Sequence, residues 1–208
     1  MATDYDGTIS PLVSDPEKAY PHDEAVRALR GLAVLPSTSA AVISGRALKD
    51  LAALSRLPIE VKLVGSHGSE FDIGFVHEID PDAKELLTEI VDAMRSVAAR
   101  VAGVHVEVKP ASAALHVRNA SAEDAAAALD VIRNDLALRP GVQVTEGKSV
   151  IELSVVPTDK GKALDIIRHQ EAATAAVFFG DDVTDEKAFR SLQGPDVGVK
   201  IGDGETDA

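Results

Sequence analysis

Short apolar runs that alternate with helical patterns constrain the fold of this chain more than any other feature of its sequence. Ser39 to Ile43, Val61 to Val64 and Ala175 to Phe179 each indicate a buried strand. Between these runs, apolar residues recur three and four positions apart, as on one face of an α-helix. This alternation predicts an α/β fold built on a doubly wound parallel sheet. The other predicted core elements are helices over Pro21 to Ala33, from after Arg46 to about Ala53, over Asp159 to Gln170 and over Thr184 to Leu192, and a strand over Val197 to Ile201.

The pattern changes in the middle of the chain, where apolar and polar residues alternate with period two. Such alternation is typical of half-buried antiparallel strands. We therefore predict an inserted α+β domain over residues 80–156, and a discontinuous Rossmann-like core over residues 1–79 and 157–208. The predicted elements of the insertion are helices over Pro81 to Val101 and Ser121 to about Leu138, and strands over Val104 to Lys109, Ala113 to Arg118, Val142 to Thr145 and Ser149 to Val155.

Two dense groups of carboxylates lie at predicted strand ends. Asp4-Tyr5-Asp6-Gly7-Thr8 lies near the N-terminus, and Gly180-Asp181-Asp182-Val183-Thr184-Asp185-Glu186 follows the last long apolar run. Bunched negative charge repels itself unless a cation neutralises it. Because hard oxygen ligands suit Mg²⁺, the sequence predicts a magnesium site.

In open parallel sheets, binding sites form beyond the carboxyl ends of the strands. The predicted sheet therefore brings together polar residues that are far apart in sequence, namely Asp4 with Asp6, Ser44, Lys160, and Asp181 with Asp185. This composition suits phosphoryl transfer. One carboxylate can attack phosphorus, while a second protonates the leaving oxygen and later activates water. A hydroxyl and an ammonium group can hold the phosphoryl oxygens as their charge shifts.

Each of these features alone has a simpler explanation. The segment Asp4 to Thr8 could be a calcium-binding loop or a turn, and Ser44-Gly45 is a common turn sequence. Lys160 could be a solvated residue at a helix start, and the acids from Asp181 to Asp185 could be ordinary N-terminal helix residues. All four occur in order, each at a predicted strand end or helix start, and this order favours phosphoryl transfer.

The order of these motifs resembles the haloacid dehalogenase superfamily of phosphatases, and within it the chain is similar to trehalose-6-phosphate phosphatases. The resemblance covers essentially the whole chain. It implies that the insertion is a cap domain, and that the core is incomplete at both ends, before Asp4 and after Thr206. The motifs that support the trehalose branch are Gly65-Ser66-His67-Gly68-Ser69-Glu70, Glu107-Val108-Lys109, Leu115-His116-Val117-Arg118, Gly147-Lys148-Ser149-Val150-Ile151-Glu152-Leu153 and the late acidic segment.

The resemblance also implies a role for each matching core residue. Asp4 would be the nucleophile and Asp6 the general acid and base. Mg²⁺ would be ligated by Asp4, Asp181 and the backbone carbonyl of Asp6. Support for the metal, through water or through its ligands, would come from Asp182 or Asp185. The residues that bind the phosphoryl group would be Ser44, Gly45, Arg46 and Lys160.

For the cap, the resemblance implies charged residues that hydrogen-bond the hydroxyls of a sugar. Simpler explanations exist, since Glu107 and Lys109 share one strand face and could be a solvated ion pair. The other charges could be exposed surface residues. His67 could be a plain turn residue, and His116 could be structural. The implied sugar-binding residues are Glu107, Lys109, Arg118, Lys148 and Glu152.

Other functions share parts of this pattern. The same chemistry could act on sucrose phosphate or mannosyl phosphate. A non-catalytic sugar-phosphate-binding module of a larger protein is another reading, although every predicted catalytic position is occupied. A phosphorylation-receiver module is disfavoured because Asp6 promotes rapid hydrolysis of an aspartyl-phosphate, and because the insertion is large.

The charge and composition of the chain limit the classes of partner that it can bind. The net charge of −13 and the pI near 4.8 oppose general binding of nucleic acid or anionic membranes. No apolar run approaches the roughly 20 residues of a membrane span, and no signal peptide precedes Asp4. The chain has no Cys, so disulfides and thiolate metal sites are excluded. We expect a cytoplasmic protein whose partner is a small phosphosugar.

Overall fold

A computed structural model describes residues 1–72, 74–75 and 79–208 of the protein. The chain divides into two compact units, one formed by residues 1–76 and 159–208 and the other by residues 77–158. The roles of these units as catalytic core and cap stay predictions. Among the described residues, no helix combines the length and the apolar character that a membrane span requires.

The elements follow the predicted order. The strands are β1 (Ala2–Thr3), β2 (Ala40–Ile43), β3 (Val61–Val64), β4 (Glu70–Phe71), β5 (Gly74–Phe75), β6 (His105–Lys109), β7 (Ser112–His116), β8 (Gln143–Gly147), β9 (Val150–Ser154), β10 (Val177–Gly180) and β11 (Val197–Lys200). The α-helices are α1 (Asp23–Ala33), α2 (Leu48–Ser55), α3 (Pro81–Ala98), α4 (Ala122–Asn134), α5 (Lys160–Gln170) and α6 (Glu186–Arg190). Short 3₁₀ turns lie at Pro16–Lys18, Ser66–Gly68 and Leu136–Leu138.

The first unit contains a five-stranded sheet in the order β11-β10-β1-β2-β3. Every pairing in it is parallel, and Thr3 pairs with Phe179 on one side and with Val42 on the other. The strand order reverses at β1, because β2 and β3 extend the sheet in one direction and β10 and β11 in the other. In open α/β sheets such a reversal opens a crevice at the carboxyl ends of the strands, where ligands bind.

Helices cover both faces of this sheet. Along β2, Ala41 and Ile43 join the buried cluster that includes residues of α5 and α6. Their neighbours Ala40 and Val42 join the opposite cluster, which includes residues of α1 and α2. All four side chains are buried, as expected for a parallel strand covered on both sides. The predicted doubly wound parallel sheet is therefore confirmed.

The second unit is built on an antiparallel sheet in the order β6-β7-β9-β8. Helices α3 and α4 cover one face of it, where Leu115 and Ile151 pair across the strands and pack with Ile90 and Ile132. The opposite face carries polar and charged side chains. The predicted α+β architecture of this segment is confirmed.

Several predicted helices are longer than the observed ones. Helix α1 begins at Asp23, not at Pro21. Helix α3 ends at Ala98, not at Val101. Helix α4 ends at Asn134, because Asp135 takes the non-helical angles φ −128° and ψ −77° before a separate 3₁₀ turn. Helix α6 has only five residues, because the segment before it forms turns around the carboxylate of Asp185. The short β4–β5 hairpin was not predicted at all.

A buried ion pair fixes the loop that leads into β11. Arg168 of α5 donates two hydrogen bonds to Asp196, at 3.1 and 2.5 Å. The backbone N–H groups of Ala176 and Gln193 each donate to the same carboxylate at 2.7 Å. The Asp196 side chain is only 1% exposed. These four bonds, led by those from Arg168, lower the pKa of Asp196 to about 2.

Replacing Asp196 with Asn should destabilise the fold by roughly 2–3 kcal/mol at neutral pH, because the amide cannot replace a charged acceptor of four hydrogen bonds. The folded-state pKa lies below the ordinary value of 3.8. The stabilisation is therefore complete above about pH 4 and is lost as the pH falls towards 2. Urea unfolding of both proteins across this range measures the difference.

Asp165→Asn is the matched control. Asp165 lies 3.9 Å from the same guanidinium but is half exposed, so its loss should cost less than about 0.5 kcal/mol. Equal losses in the two variants, or a difference that does not shrink in acid, would contradict the assignment.

Candidate active site

Asp4 lies directly after β1, at the carboxyl edge of the parallel sheet. Its backbone N–H donates to the carbonyl oxygen of Phe179 at 2.8 Å, which extends the pairing between β1 and β10 by one residue. The carboxylate is buried together with the adjacent Thr3. A strand of only two residues therefore holds Asp4 firmly, because it lies between β2 and β10 in the middle of the sheet.

Lys160, the first residue of α5, contacts two carboxylates at once. Its Nζ atom donates to Asp4 Oδ1 at 2.6 Å and to Asp185 Oδ1 at 2.8 Å. All three side chains are buried, and that of Asp185 is completely inaccessible to solvent. The side chain of Asp159 caps α5 by accepting from the N–H groups of Gly161 and Lys162. This cap fixes the helix start, and with it the direction of the lysine.

Gly161 permits the close packing of α5 against α6. A Cβ atom at this position would lie 2.6 Å from the backbone oxygen of Lys187. At the start of α5, Lys160 thus supplies a buried cation, and Gly161 allows two helices to approach closely.

The late acidic segment folds around Asp185. Its Oδ2 atom accepts hydrogen bonds from the backbone N–H groups of Asp181 and Asp182, each at 3.0 Å. Gly180 is required beside it, because a Cβ atom there would lie 2.4 Å from Cβ of Asp185. One carboxylate oxygen from each of Asp4, Asp181 and Asp185 lies within 4.8 Å of the other two.

The charges in this cluster do not balance. Three carboxylates converge, and Lys160 supplies one positive charge. Burial raises the pKa of Asp4, an effect that the Lys160 ammonium group opposes and the charge of Asp185 reinforces. Although burial alone would lower it, Asp4 and Asp185 raise the pKa of Lys160. A divalent cation would neutralise the surplus, and carboxylate oxygens are suitable ligands, so these residues fit such an ion.

Asp6 points its carboxylate at Arg46. The guanidinium donates from Nε to Oδ2 at 2.8 Å and from Nη2 to Oδ1 at 2.6 Å. The intervening residue, Tyr5, is fully buried, and its ring lies 5.5 Å beneath the guanidinium. Gly7 has φ +86°, and a Cβ atom there would lie 2.2 Å from Oδ2 of Asp181. The backbone after Asp6 therefore passes closely by the late acidic segment.

The turn after β2 is braced by the segment Gly65 to Glu70. Ser44 is buried, and its Oγ atom accepts from the N–H group of Arg46 at 3.2 Å. The carboxylate of Glu70 accepts from the N–H group of Leu48 at 2.8 Å and so caps α2. The sequence did not indicate that Glu70 caps α2, because Glu70 lies 23 positions after Ala47, the residue that precedes this helix.

In the second unit, three predicted sugar-binding residues share the polar face of the antiparallel sheet. Lys109 donates to Glu152 at 2.6 Å, and Ser112 donates to the other oxygen of Glu152 at 2.7 Å. Both charged side chains are more than 90% buried, so Glu152 is not an exposed surface charge. Glu107 lies 2.9 Å from Nε2 of His116 on the neighbouring strand. Lys109 is therefore not a solvated surface charge.

The remaining two predicted sugar-binding residues are exposed. Arg118 follows β7, and Lys148 lies in the turn between β8 and β9. The backbone of Val117 donates to the oxygen of Ser149 at 2.9 Å, so these two cations lie at the same end of the sheet.

Comparisons with known proteins identify the family. Residues 2–205 match the family model described as trehalose-phosphatase. The chain belongs to the trehalose-phosphatase family. The trehalose-phosphate phosphatase of Mycobacterium marinum is 37% identical over an alignment of 208 positions, which covers 95% of this chain and 52% of that protein. The chain thus spans about half the length of that relative.

This chain matches a larger share of two further relatives. The trehalose-6-phosphate phosphatase of Escherichia coli strain K12 is 34% identical, over 99% of this chain and 78% of that protein. The solved C-terminal domain of the Candida albicans trehalose-6-phosphate phosphatase superposes with a TM-score of 0.76 at 27% identity, over 91% of this chain and 72% of that one. The family and the fold class predicted from the sequence are confirmed.

In this member of the trehalose-phosphatase family, most of the predicted site residues of the first unit lie close together. Asp4, Lys160, Asp181 and Asp185 form one cluster. Ser44 lies at the same edge of the sheet, after β2. Asp185 lies closer to the centre than its predicted supporting role suggested, because it contacts Lys160 directly.

Replacing Lys160 with Met should destabilise the protein by about 3–5 kcal/mol in the presence of a chelator, because Asp4 and Asp185 would stay buried without a counter-charge. Denaturant unfolding measures the loss. Lys162→Met on the exposed side of the same helix is the control, and it should change stability by less than about 0.5 kcal/mol. If the Lys160 variant were as stable as the control variant, the ion-pair assignment would be wrong.

Proposed function

We propose that the protein is a Mg²⁺-dependent phosphatase that hydrolyses trehalose 6-phosphate to trehalose and phosphate. The observation that carries this proposal is the position of Asp4. Its carboxylate lies 2.6 Å from Lys160 in an acidic cluster at the point where the strand order of the sheet reverses. The family match over residues 2–205 supports a phosphosugar as the substrate.

In the first step, a carboxylate oxygen of Asp4 attacks phosphorus, and the bond from phosphorus to the sugar oxygen breaks. Asp6, in its protonated form, donates its proton to that departing oxygen, which leaves as a neutral hydroxyl. Asp4 then carries the phosphoryl group, and Asp6 is a carboxylate.

In the second step, water attacks the phosphorus of the aspartyl-phosphate. Asp6 accepts a proton from this water, phosphate departs, and the carboxylate of Asp4 is restored. Because Lys160 contacts Asp4 directly, its ammonium group is within reach of a phosphoryl group on that residue. The buried hydroxyl of Ser44 is the second proposed phosphate ligand.

Asp4, Asp181 and the backbone carbonyl of Asp6 are the proposed ligands of Mg²⁺, and Asp182 and Asp185 support them. A bound divalent cation would neutralise charge on the carboxylates and on the incoming phosphate. Asp185 suits its role because its second oxygen is already held by two backbone N–H groups.

The polar sheet face of the second unit is the proposed sugar-recognition surface. A disaccharide offers many hydroxyls, and charged side chains that are already hydrogen-bonded make good partners for them. Lys109 and Glu152 supply a donor and an acceptor in a fixed arrangement. Arg118 and Lys148 add exposed donors at one end of the sheet. A cytoplasmic location stays a prediction.

Incubation with Mg²⁺ and trehalose 6-phosphate should release inorganic phosphate, because Asp4 and its neighbours supply each group that the reaction needs. Asp4→Asn should abolish turnover, since an amide is not a competent nucleophile. A colorimetric phosphate assay with a panel of trehalose, sucrose and mannosyl phosphates measures activity and preference together. Asp203→Asn, an exposed change with the same loss of charge, is the control.

Activity retained by the Asp4 variant would reject the nucleophile. A preference for another sugar in the panel would correct the substrate but keep the chemistry. Calorimetric binding of a phosphosugar without phosphate release by the intact protein would support a non-catalytic binding module instead.

Mg²⁺ should raise the thermal midpoint of the protein, because an ion that binds only the folded state stabilises it. Asp181→Asn should remove most of this rise, since it deletes one carboxylate from the cluster. Differential scanning fluorimetry at several Mg²⁺ concentrations measures the shift. An equal shift in the Asp181 and Asp203 variants would place the ion elsewhere.

A further inference from the structure

We infer that Arg46 is a positioning residue for Asp6 and acts on the reaction through that acid, not as a ligand of the phosphoryl group. The inference rests on the proposed function, in which Asp6 transfers the proton. It reassigns Arg46, which the sequence resemblance places among the phosphate-binding residues.

Arg46 and Asp6 are joined by two parallel hydrogen bonds. Arg46 uses two adjacent donors, Nε and Nη2, on the two oxygens of Asp6, at 2.8 and 2.6 Å. Such a parallel arrangement fixes the plane of the carboxyl group as well as its distance, which a single hydrogen bond does not. To bind a phosphoryl group with this same edge, Arg46 would have to release Asp6.

Arg46 is itself held from three sides. Its backbone N–H donates to Oγ of Ser44, and its carbonyl accepts from the N–H group of Ser66 at 2.7 Å. Its guanidinium lies over the ring of Tyr5, whose hydroxyl donates to the carbonyl oxygen of Ala19 at 2.8 Å. A cation stacked on a fixed aromatic ring has little freedom to turn.

The side chains of Arg46 and Asp6 differ in their exposure to solvent. The Arg46 side chain is 13% exposed, whereas that of Asp6 is 33% exposed. The more accessible partner is therefore the acid, which must reach the substrate, and the less accessible partner is the arginine behind it. Proton transfer needs a carboxyl group with a defined orientation toward the leaving oxygen, and the two hydrogen bonds from Arg46 restrict the orientation of Asp6.

The two roles of Arg46 make different predictions for different leaving groups. A sugar hydroxyl is a poor leaving group that needs a proton, whereas 2,4-dinitrophenolate leaves without one. The ratio kcat/KM reports the steps up to departure of the leaving group, so the later hydrolysis, in which Asp6 acts as a base for either substrate, does not enter it. In kcat/KM, a residue that acts through the general acid therefore affects only the sugar phosphate, whereas a phosphate ligand affects both substrates.

The test compares kcat/KM for trehalose 6-phosphate and for 2,4-dinitrophenyl phosphate in the full chain with Mg²⁺. Arg46→Ala should lower the first by about 10- to 100-fold and the second by less than about threefold, because general acid catalysis contributes roughly 10²–10⁴ in rate. Arg46→Lys keeps the charge but cannot make two parallel bonds, so it should show the same split. Ser44→Ala, at a proposed phosphate ligand, should lower both values alike.

A double-mutant cycle provides an independent measurement. In an Asp6→Ala background, removing Arg46 should cause no further loss with either substrate, because the group through which it acts is gone. The aryl phosphate also reports on folding, since a misfolded variant would lose that activity as well.

Equal losses with both substrates, or a further tenfold loss in the Asp6→Ala background, would overturn the inference and make Arg46 a phosphate ligand. If the unmodified protein released phosphate from neither substrate, the proposed function itself would fail. These outcomes are distinguishable, because the second is decided before any variant is made.

Discussion

The contact of Lys160 with Asp4 and Asp185 is the interaction on which the rest of the core depends. Each of these residues comes from a different element: the end of β1, the start of α5 and the loop before α6. Burial of any one charge alone would be strongly unfavourable, so the three positions are stabilised only together. In the proposed function, the same ammonium group that permits two carboxylates to lie side by side would also hold the phosphoryl group of the substrate.

The parallel sheet explains why residues more than 150 positions apart can meet. Strands β1 and β10 are neighbours at the reversal of the strand order, so the residues that follow them enter the same crevice. Glycines then permit the close approaches, as at Gly7 and Gly180, where a larger residue would collide with an acid of the cluster. Fold and chemistry thus use the same few positions.

Sequence reasoning found most of the elements, and it found which core residues the sheet brings together, because both follow simple rules. Buried strands are continuous apolar runs, and residues at their carboxyl ends converge in a parallel sheet. It could not assign partners, since the pairing of Arg46 with Asp6 and the cap that Glu70 provides for α2 depend on contacts between distant segments. Helix ends were also missed, as at Asp135, where the backbone leaves helical angles although the helical pattern of the sequence continues.

If the sugar binds where we propose, the network of Lys109, Ser112 and Glu152 has a consequence for selectivity between sugars. These side chains are hydrogen-bonded to one another without any ligand, so their rotamers are already restricted. A sugar that matched them would bind without ordering flexible lysine and glutamate chains, each of which carries an entropic cost of roughly 1–2 kcal/mol. A sugar with a misplaced hydroxyl would meet a surface that does not readily adjust. Discrimination between sugars would then come from the rigidity of these three side chains rather than from the number of contacts that they make with the ligand.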